Sequence, residues 1–214
     1  MNDSLRLAEL LAIRLCHDLS SPLGTLMGSL EMLNEDPETA EEALALANEV
    51  SVTLGKRLRL LRVAWGGSAP ALRVDEFATL AEGLPQGRRV TVNLDRLAAS
   101  HSFPPNAARL AINVLMLAAE SLPSGGVVTL AGDPRAEIQI AISGPRAAWP
   151  AGLAAFLADD ARAWAALTAE GTETSRIMQG PLTALIARAT GIRLSMLMAR
   201  DAEAAPPLLF TPIN

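Results

Sequence analysis

The chain has 214 residues, half of them hydrophobic, with one cysteine and a formal net charge of −5. That is enough apolar material for one large domain or two small ones with real cores, and the acidic balance gives no argument for a nucleic-acid or anionic-membrane partner. Cys16 alone excludes an internal disulfide; with no signal-like N-terminus and no apolar run near the roughly 20 residues that span a bilayer, the expected location is the cytoplasm.

From residue 4 to 33 apolar side chains recur at helical spacing, as Leu5, Ala8, Ala12, Leu15, Leu19, Pro22, Leu26 and Leu33, with Ser29 interrupting. These steps predict an amphipathic helix with a bundle seam. Asn34-Glu35-Asp36-Pro37 supplies a turn, Pro37 being placed to open the next helix, and Glu38, Glu41 and Glu42 suit its positive end. The second helix runs to about Trp65, with the stripe Ala40, Ala43, Ala47, Val50, Leu54, Leu58, Leu61 and Trp65. Two long helices on a short loop lie antiparallel. A lone hairpin leaves both stripes half exposed, so a second copy is expected to cover them as a four-helix bundle about a two-fold axis.

Gly66-Gly67-Ser68-Ala69-Pro70 ends the helical pattern and divides the chain into a hairpin domain, residues 1–67, and a second domain, residues 68–214. Beyond it, alternating runs predict strands at 71–74, 89–94, 127–130, 137–142, 193–198 and 208–210, and helical patterns at 76–84, 105–122, 154–169 and 174–190. The fold class is α+β, with a mixed sheet carrying helices on one face.

His17 is the residue of the first helix with chemistry to offer. It is two positions from both Leu15 and Leu19, about 160 to 200 degrees around the helix from each, and so points away from the seam. Free imidazole is largely neutral near pH 7, which makes its unprotonated nitrogen a nucleophile. Ser20, Ser21 and Gly24, three, four and seven residues on, are small enough to let a flat partner approach the ring. Asp18 can accept a hydrogen bond from the imidazole and orient it. Pro22 removes a backbone donor and crowds the carbonyl of Asp18, predicting a kink. Counting back from the turn, the level of His17 meets the second helix near residue 55, beside Lys56, Arg57 and Arg59. Those bases could offset a phosphoryl group and attract an acidic partner; they equally suit a solvated helix end that complements its dipole. Cys16 reads as a small buried hydrophobe, and His101 has no companions at metal-ligand spacing.

The run Arg14-Leu15-Cys16-His17-Asp18-Leu19-Ser20-Ser21-Pro22-Leu23-Gly24 resembles the H-box of dimerising histidine phosphotransfer domains. The helix containing Asn113, with the Gly125-Gly126 turn and strand after it, is similar to the N-box region of histidine-kinase ATPase domains. In active kinases a second asparagine, four residues after the first, helps hold magnesium; Leu117 stands there. The adenine-reading aspartate of the following Asp-x-Gly is replaced by Ile142 in Ile142-Ser143-Gly144-Pro145. Gly171-Thr172-Glu173-Thr174 is too poor in glycine to cradle phosphates, and Arg146 and Arg176 read as surface charges.

Over nearly its whole length the chain resembles the ChpT-type histidine phosphotransferases, most strongly at residues 14–24 and 113–126. The resemblance implies an N-terminal antiparallel helical hairpin forming a dimeric four-helix bundle, and a C-terminal degenerate histidine-kinase ATPase-like α/β sandwich. It implies a phosphoryl relay from the receiver domain of a hybrid histidine kinase, through His17, to response regulators. His17 would be the nucleophile and Asp18 its orienter, with Arg14, Ser20, Ser21, Gly24, Lys56, Arg57 and Arg59 expected at the partner surface. No cofactor is expected, magnesium arriving with the receiver. Two alternatives stand beside this reading: an autophosphorylating kinase with a diverged ATP pocket, and a dimeric scaffold that holds receivers without relaying phosphate.

Overall fold

The computed structural model describes residues 3–35, 37–85, 89–98, 102–169, 177–199 and 204–212. Helices α1 (Asp3–Glu35) and α2 (Ala40–Trp65) form the expected hairpin. Pro37 does not open α2; residues 37–39 make turns, and Ala43 N–H reaches the carbonyl of Thr39 as the first bond of the helix. The stripe on α2 faces inward at Ala43, Ala47 and Leu61, while Leu58 stays 45% exposed.

The seam on α1 differs from expectation. Leu19, Pro22, Leu26 and Leu33 are half-buried, but Leu5, Ala8, Ala12 and Leu15 lie exposed. Leu10 is buried instead, with Leu7 and Leu11 packed against the same core. The physical reason is that the N-terminal half of α1 is apolar on more than one face, and the C-terminal part of the chain packs on the face carrying Leu7, Leu10 and Leu11. Cys16 is exposed rather than buried, because it lies on the side of α1 turned away from both.

After α2 come β1 (Leu72–Arg73), α3 (Val74–Ala81), β2 (Val90–Leu97), β3 (Ser102–Phe103) and α4 (Pro105–Glu120). They are followed by β4 (Gly126–Gly132), β5 (Ile138–Ser143), α5 (Leu153–Ala158), α6 (Asp160–Thr168), α7 (Gln179–Ala189), β6 (Ile192–Met196) and β7 (Leu208–Pro212). The five-stranded sheet has the order β2-β4-β5-β7-β6, with β2 and β4 parallel and the remaining pairs antiparallel. Register aligns Val128 with Ile142, Leu130 with Ile140, and Ile138 with Phe210, all buried, on the face that receives the helices. Strands β1 and β3 pair separately, where Phe103 stacks on Phe77 of α3.

Helix α4 is buried from Ala107 to Ala119 except at Arg109, because β4 lies on one side of it and α2 and α7 on others. A helix apolar on every face can be stable only in that position. One core therefore runs from Leu10, Leu60 and Leu61 of the hairpin into the α/β part. The predicted helix at 154–169 is two helices: Asp159 takes an extended conformation and its carboxylate accepts from Ala161 N–H, capping α6. The segment 170–176, including Gly171-Thr172-Glu173-Thr174 and Arg176, lies outside the described residues, as does His101.

Gly125-Gly126 and Gly144 are required by close packing. A Cβ on Gly126 would stand 2.2 Å from the carbonyl of Ser143, and one on Gly144 would stand 2.5 Å from that of Gly125. Among the described residues no helix is long and apolar enough to cross a membrane.

Candidate functional site

The site is built on the second quarter of α1. His17 projects outward with 74% of its side chain exposed, while Asp18 beside it is only 6% exposed. Adjacent helical residues diverge, yet the ring and the carboxylate meet, with His17 Nδ1 3.2 Å from Asp18 Oδ1. A carboxylate only accepts hydrogen bonds, so this contact selects the neutral tautomer with the proton on Nδ1 and the lone pair on Nε2. Ser20, Ser21 and Gly24 share this open side; the Ser20 hydroxyl donates to the carbonyl of Cys16, and a Cβ on Gly24 would meet nothing.

Asp18 is held from behind. Arg14 Nε donates to its Oδ2 at 2.9 Å, and Arg14 Nη2 donates to Oε1 of Glu120, the last residue of α4, at 2.5 Å. Burial pulls the Arg14 guanidinium down, but the two carboxylates more than offset this and leave it above the ordinary arginine value. Burial pushes the Glu120 carboxyl above its usual value, with Arg14 offsetting part of the rise. Arg14 was expected at the partner surface. It is turned inward instead, because two carboxylates lie on that side, one of them from a helix more than a hundred residues away.

Arg57 solves a problem set by Pro22. Proline has no N–H, so the carbonyl of Asp18, four residues earlier, loses its helical partner. Arg57 Nη1 donates to that oxygen at 2.9 Å from across the hairpin. Helix α1 continues through Pro22 without interruption. Burial lowers the Arg57 guanidinium from its ordinary value, and its Nε is buried without a partner among the described residues. Arg57 is thus a brace between the helices. Lys56 pairs with Glu82 at 2.5 Å, where Gly83 lets the chain pass so close to α2 that a Cβ would stand 2.5 Å from the carbonyl of Lys56. Arg59 is exposed. Of the expected surface contacts, Ser20, Ser21, Gly24 and Arg59 remain open.

The N-box-like position has a different character. Asn113 is fully buried, and its amide Nδ2 donates to the carbonyls of Ala64 and Arg109 at 3.0 and 2.9 Å. Its Oδ1 accepts from Trp65 Nε1 at 3.2 Å and from Gln179 Nε2 at 3.2 Å. Leu117 is completely buried and Ile142 nearly so. The asparagine is spent on joining α2, α4 and α7.

Residues 74–202 match a family model described as the histidine phosphotransferase C-terminal domain. The protein phosphotransferase ChpT of Brucella abortus (strain 2308) is 30% identical over 143 residues, covering 64% of this chain and 68% of that protein. A solved structure described as a bacterial phosphotransferase superposes with a TM-score of 0.69 at 24% identity, over 96% of this chain and 95% of that one, and shares its fold.

Proposed function

Since the chain belongs to the ChpT-type histidine phosphotransferases, we propose that it relays a phosphoryl group between the aspartates of receiver domains through Nε2 of His17. The observation that carries this reading is the outward imidazole whose other nitrogen is tied to a buried carboxylate. In the forward step the Nε2 lone pair attacks phosphorus on a receiver aspartyl phosphate, the P–O bond breaks, and the receiver carboxylate leaves. The ring gains positive charge as the N–P bond forms, and Asp18 stabilises it through the Nδ1 proton. A second receiver aspartate reverses the sequence. The receivers bring the magnesium that neutralises the transferring oxygens.

Nucleotide plays no part in this reading. Asn113 has both ends of its amide engaged, and the positions of the second asparagine and the adenine-reading aspartate hold buried leucine and isoleucine. Neither residue can bind a cation or accept from a base. Leu5, Ile13, Leu23, Met27 and Leu30 on α1, with Leu44, Leu46, Val52 and Leu58 on α2, are all at least 41% exposed. So much exposed apolar side chain on one hairpin supports a four-helix bundle formed with a second copy.

The test is incubation with a phosphorylated receiver. Acid-labile, alkali-stable label should pass to the chain and be absent from His17→Gln. Label that stays on the receiver would favour the scaffold reading, and magnesium-dependent ATP binding would favour the kinase.

A further inference from the structure

Arg14 and Asp18 are four residues apart on one helix, and a guanidinium so placed can grip both oxygens of a carboxylate in a fork. That grip would set the plane of the carboxylate by the guanidinium and turn Oδ1 toward Arg14 rather than toward the His17 ring. The observed arrangement divides the groups differently: Arg14 Nε meets Asp18 at Oδ2, Arg14 Nη2 is drawn to Glu120, and Asp18 Oδ1 is left facing His17 Nδ1. Glu120 ends α4, whose sides are packed against α2, α7 and the sheet, so its carboxylate is presented from a rigid support. The guanidinium between the acids is 12% exposed and Glu120 is 25% exposed, which leaves little water to compete.

We infer that Glu120 is a positioning residue for phosphoryl transfer: by engaging the second arm of Arg14 it keeps that arginine from closing on Asp18, and so keeps the Asp18 carboxylate oriented with Oδ1 toward the His17 ring and Nε2 outward. Glu120 touches neither the imidazole nor an incoming receiver. Its effect passes through Arg14 and Asp18, which makes the seating of the C-terminal part of the chain on the hairpin a condition for a correctly oriented phosphoacceptor. The inference rests on His17 being that acceptor, and its failure is distinguishable from the failure of that reading.

The experiment compares the full-length wild-type chain, Glu120→Gln and the double variant Arg14→Met/Glu120→Gln. One readout is the ring tautomer of His17 by 15N nuclear magnetic resonance at neutral pH. The other is single-turnover transfer from a phosphorylated receiver that labels the wild-type chain. In the wild type the neutral ring carries its proton on Nδ1. Glu120→Gln replaces a charged acceptor by a weaker neutral one, the second arm of Arg14 turns to the still-charged Asp18, the tautomer shifts toward Nε2–H, and transfer slows about tenfold with the half-saturating receiver concentration unchanged. Removing Arg14 as well lets the carboxylate turn Oδ1 back to the ring, so the double variant returns to the Nδ1–H tautomer and recovers rate. A residue that served only to hold the fold together would not be rescued by losing its partner. Wild-type tautomer and rate in Glu120→Gln would overturn the inference, as would a loss confined to receiver affinity or a double variant no better than the single. A wild-type chain that accepts no label would instead overturn the relay itself, while the tautomer comparison would stand alone.

Discussion

His17 and Asn113 are the two polar side chains singled out by the kinase-like motifs, and the fold treats them in opposite ways. His17 is largely exposed and has one ring nitrogen held and one free. Asn113 is wholly enclosed, with its amide nitrogen and oxygen both committed to neighbours on α2 and α7. A polar group can do chemistry only with atoms that the fold has left uncommitted. By that criterion the first motif still presents a reagent, whereas the second has become part of the framework.

The comparison breaks most visibly at His17. His17→Gln should reduce transfer to background while leaving the urea unfolding free energy within about 0.5 kcal/mol of wild type, since the side chain is exposed. Asn113→Ala should do the reverse. It strands the Trp65 donor in the interior and takes one bond each from Gln179 and the Ala64 carbonyl, costing about 2 kcal/mol in denaturant unfolding, with transfer per folded molecule unchanged. If Asn113→Ala instead abolished magnesium-dependent ATP binding measured in the wild type, the contrast would collapse.

Asp18→Asn sharpens the His17 side, because it weakens the acceptor for Nδ1–H and the partner of Arg14. Stopped-flow transfer should slow by roughly 10 to 100-fold. Arg57→Met should cost about 1 to 2 kcal/mol by leaving the Asp18 carbonyl unpaired. In a Pro22→Ala background that cost should shrink, since residue 22 then supplies the missing N–H; a double-mutant cycle reads the coupling directly. The smallest effect concerns Glu120. Its folded carboxyl lies above the ordinary value, so its protonated form favours the folded state. Relative to Glu120→Gln, the wild type should therefore be most stable below the usual glutamate range and lose that advantage as pH rises through the elevated value. Paired denaturation curves between about pH 4 and 8 check the sign.

Much of this was readable from residue order. The outward direction of His17 follows from helical geometry over a single turn, whereas the partnership with Asp18 was legible only from its chemistry, since adjacent helical side chains diverge. The stripe on α2 was legible at Ala43, Ala47 and Leu61, but near its end Leu60, Val63 and Ala64 are buried as well and Leu58 is exposed, because the α/β part packs on the last turns of the helix from another side. On α1 the pattern was ambiguous, since Leu5, Ala8 and Ala12 compete with Leu7, Leu10 and Leu11, and periodicity does not say which face the rest of the chain will choose. Asp159 is a good capping residue, but its effect was hidden within an unbroken alanine-rich run. The inward turn of Arg14 was not legible, because Glu120 is distant in sequence and only the fold brings it near. The bond from Arg57 was half legible: Pro22 announces an oxygen without a donor, and counting across the hairpin points near residue 57.

That bond also fixes the two rods against sliding. Slipping α2 by one helical turn along α1 would carry Arg57 about 5.4 Å away and leave the oxygen above Pro22 bare. The proline therefore acts as a notch and the arginine as its pawl, so the height of the imidazole along α2 is set mechanically. Lengthening or shortening the 36–39 connection should leave that height unchanged, since the gauge is cut into the shafts themselves.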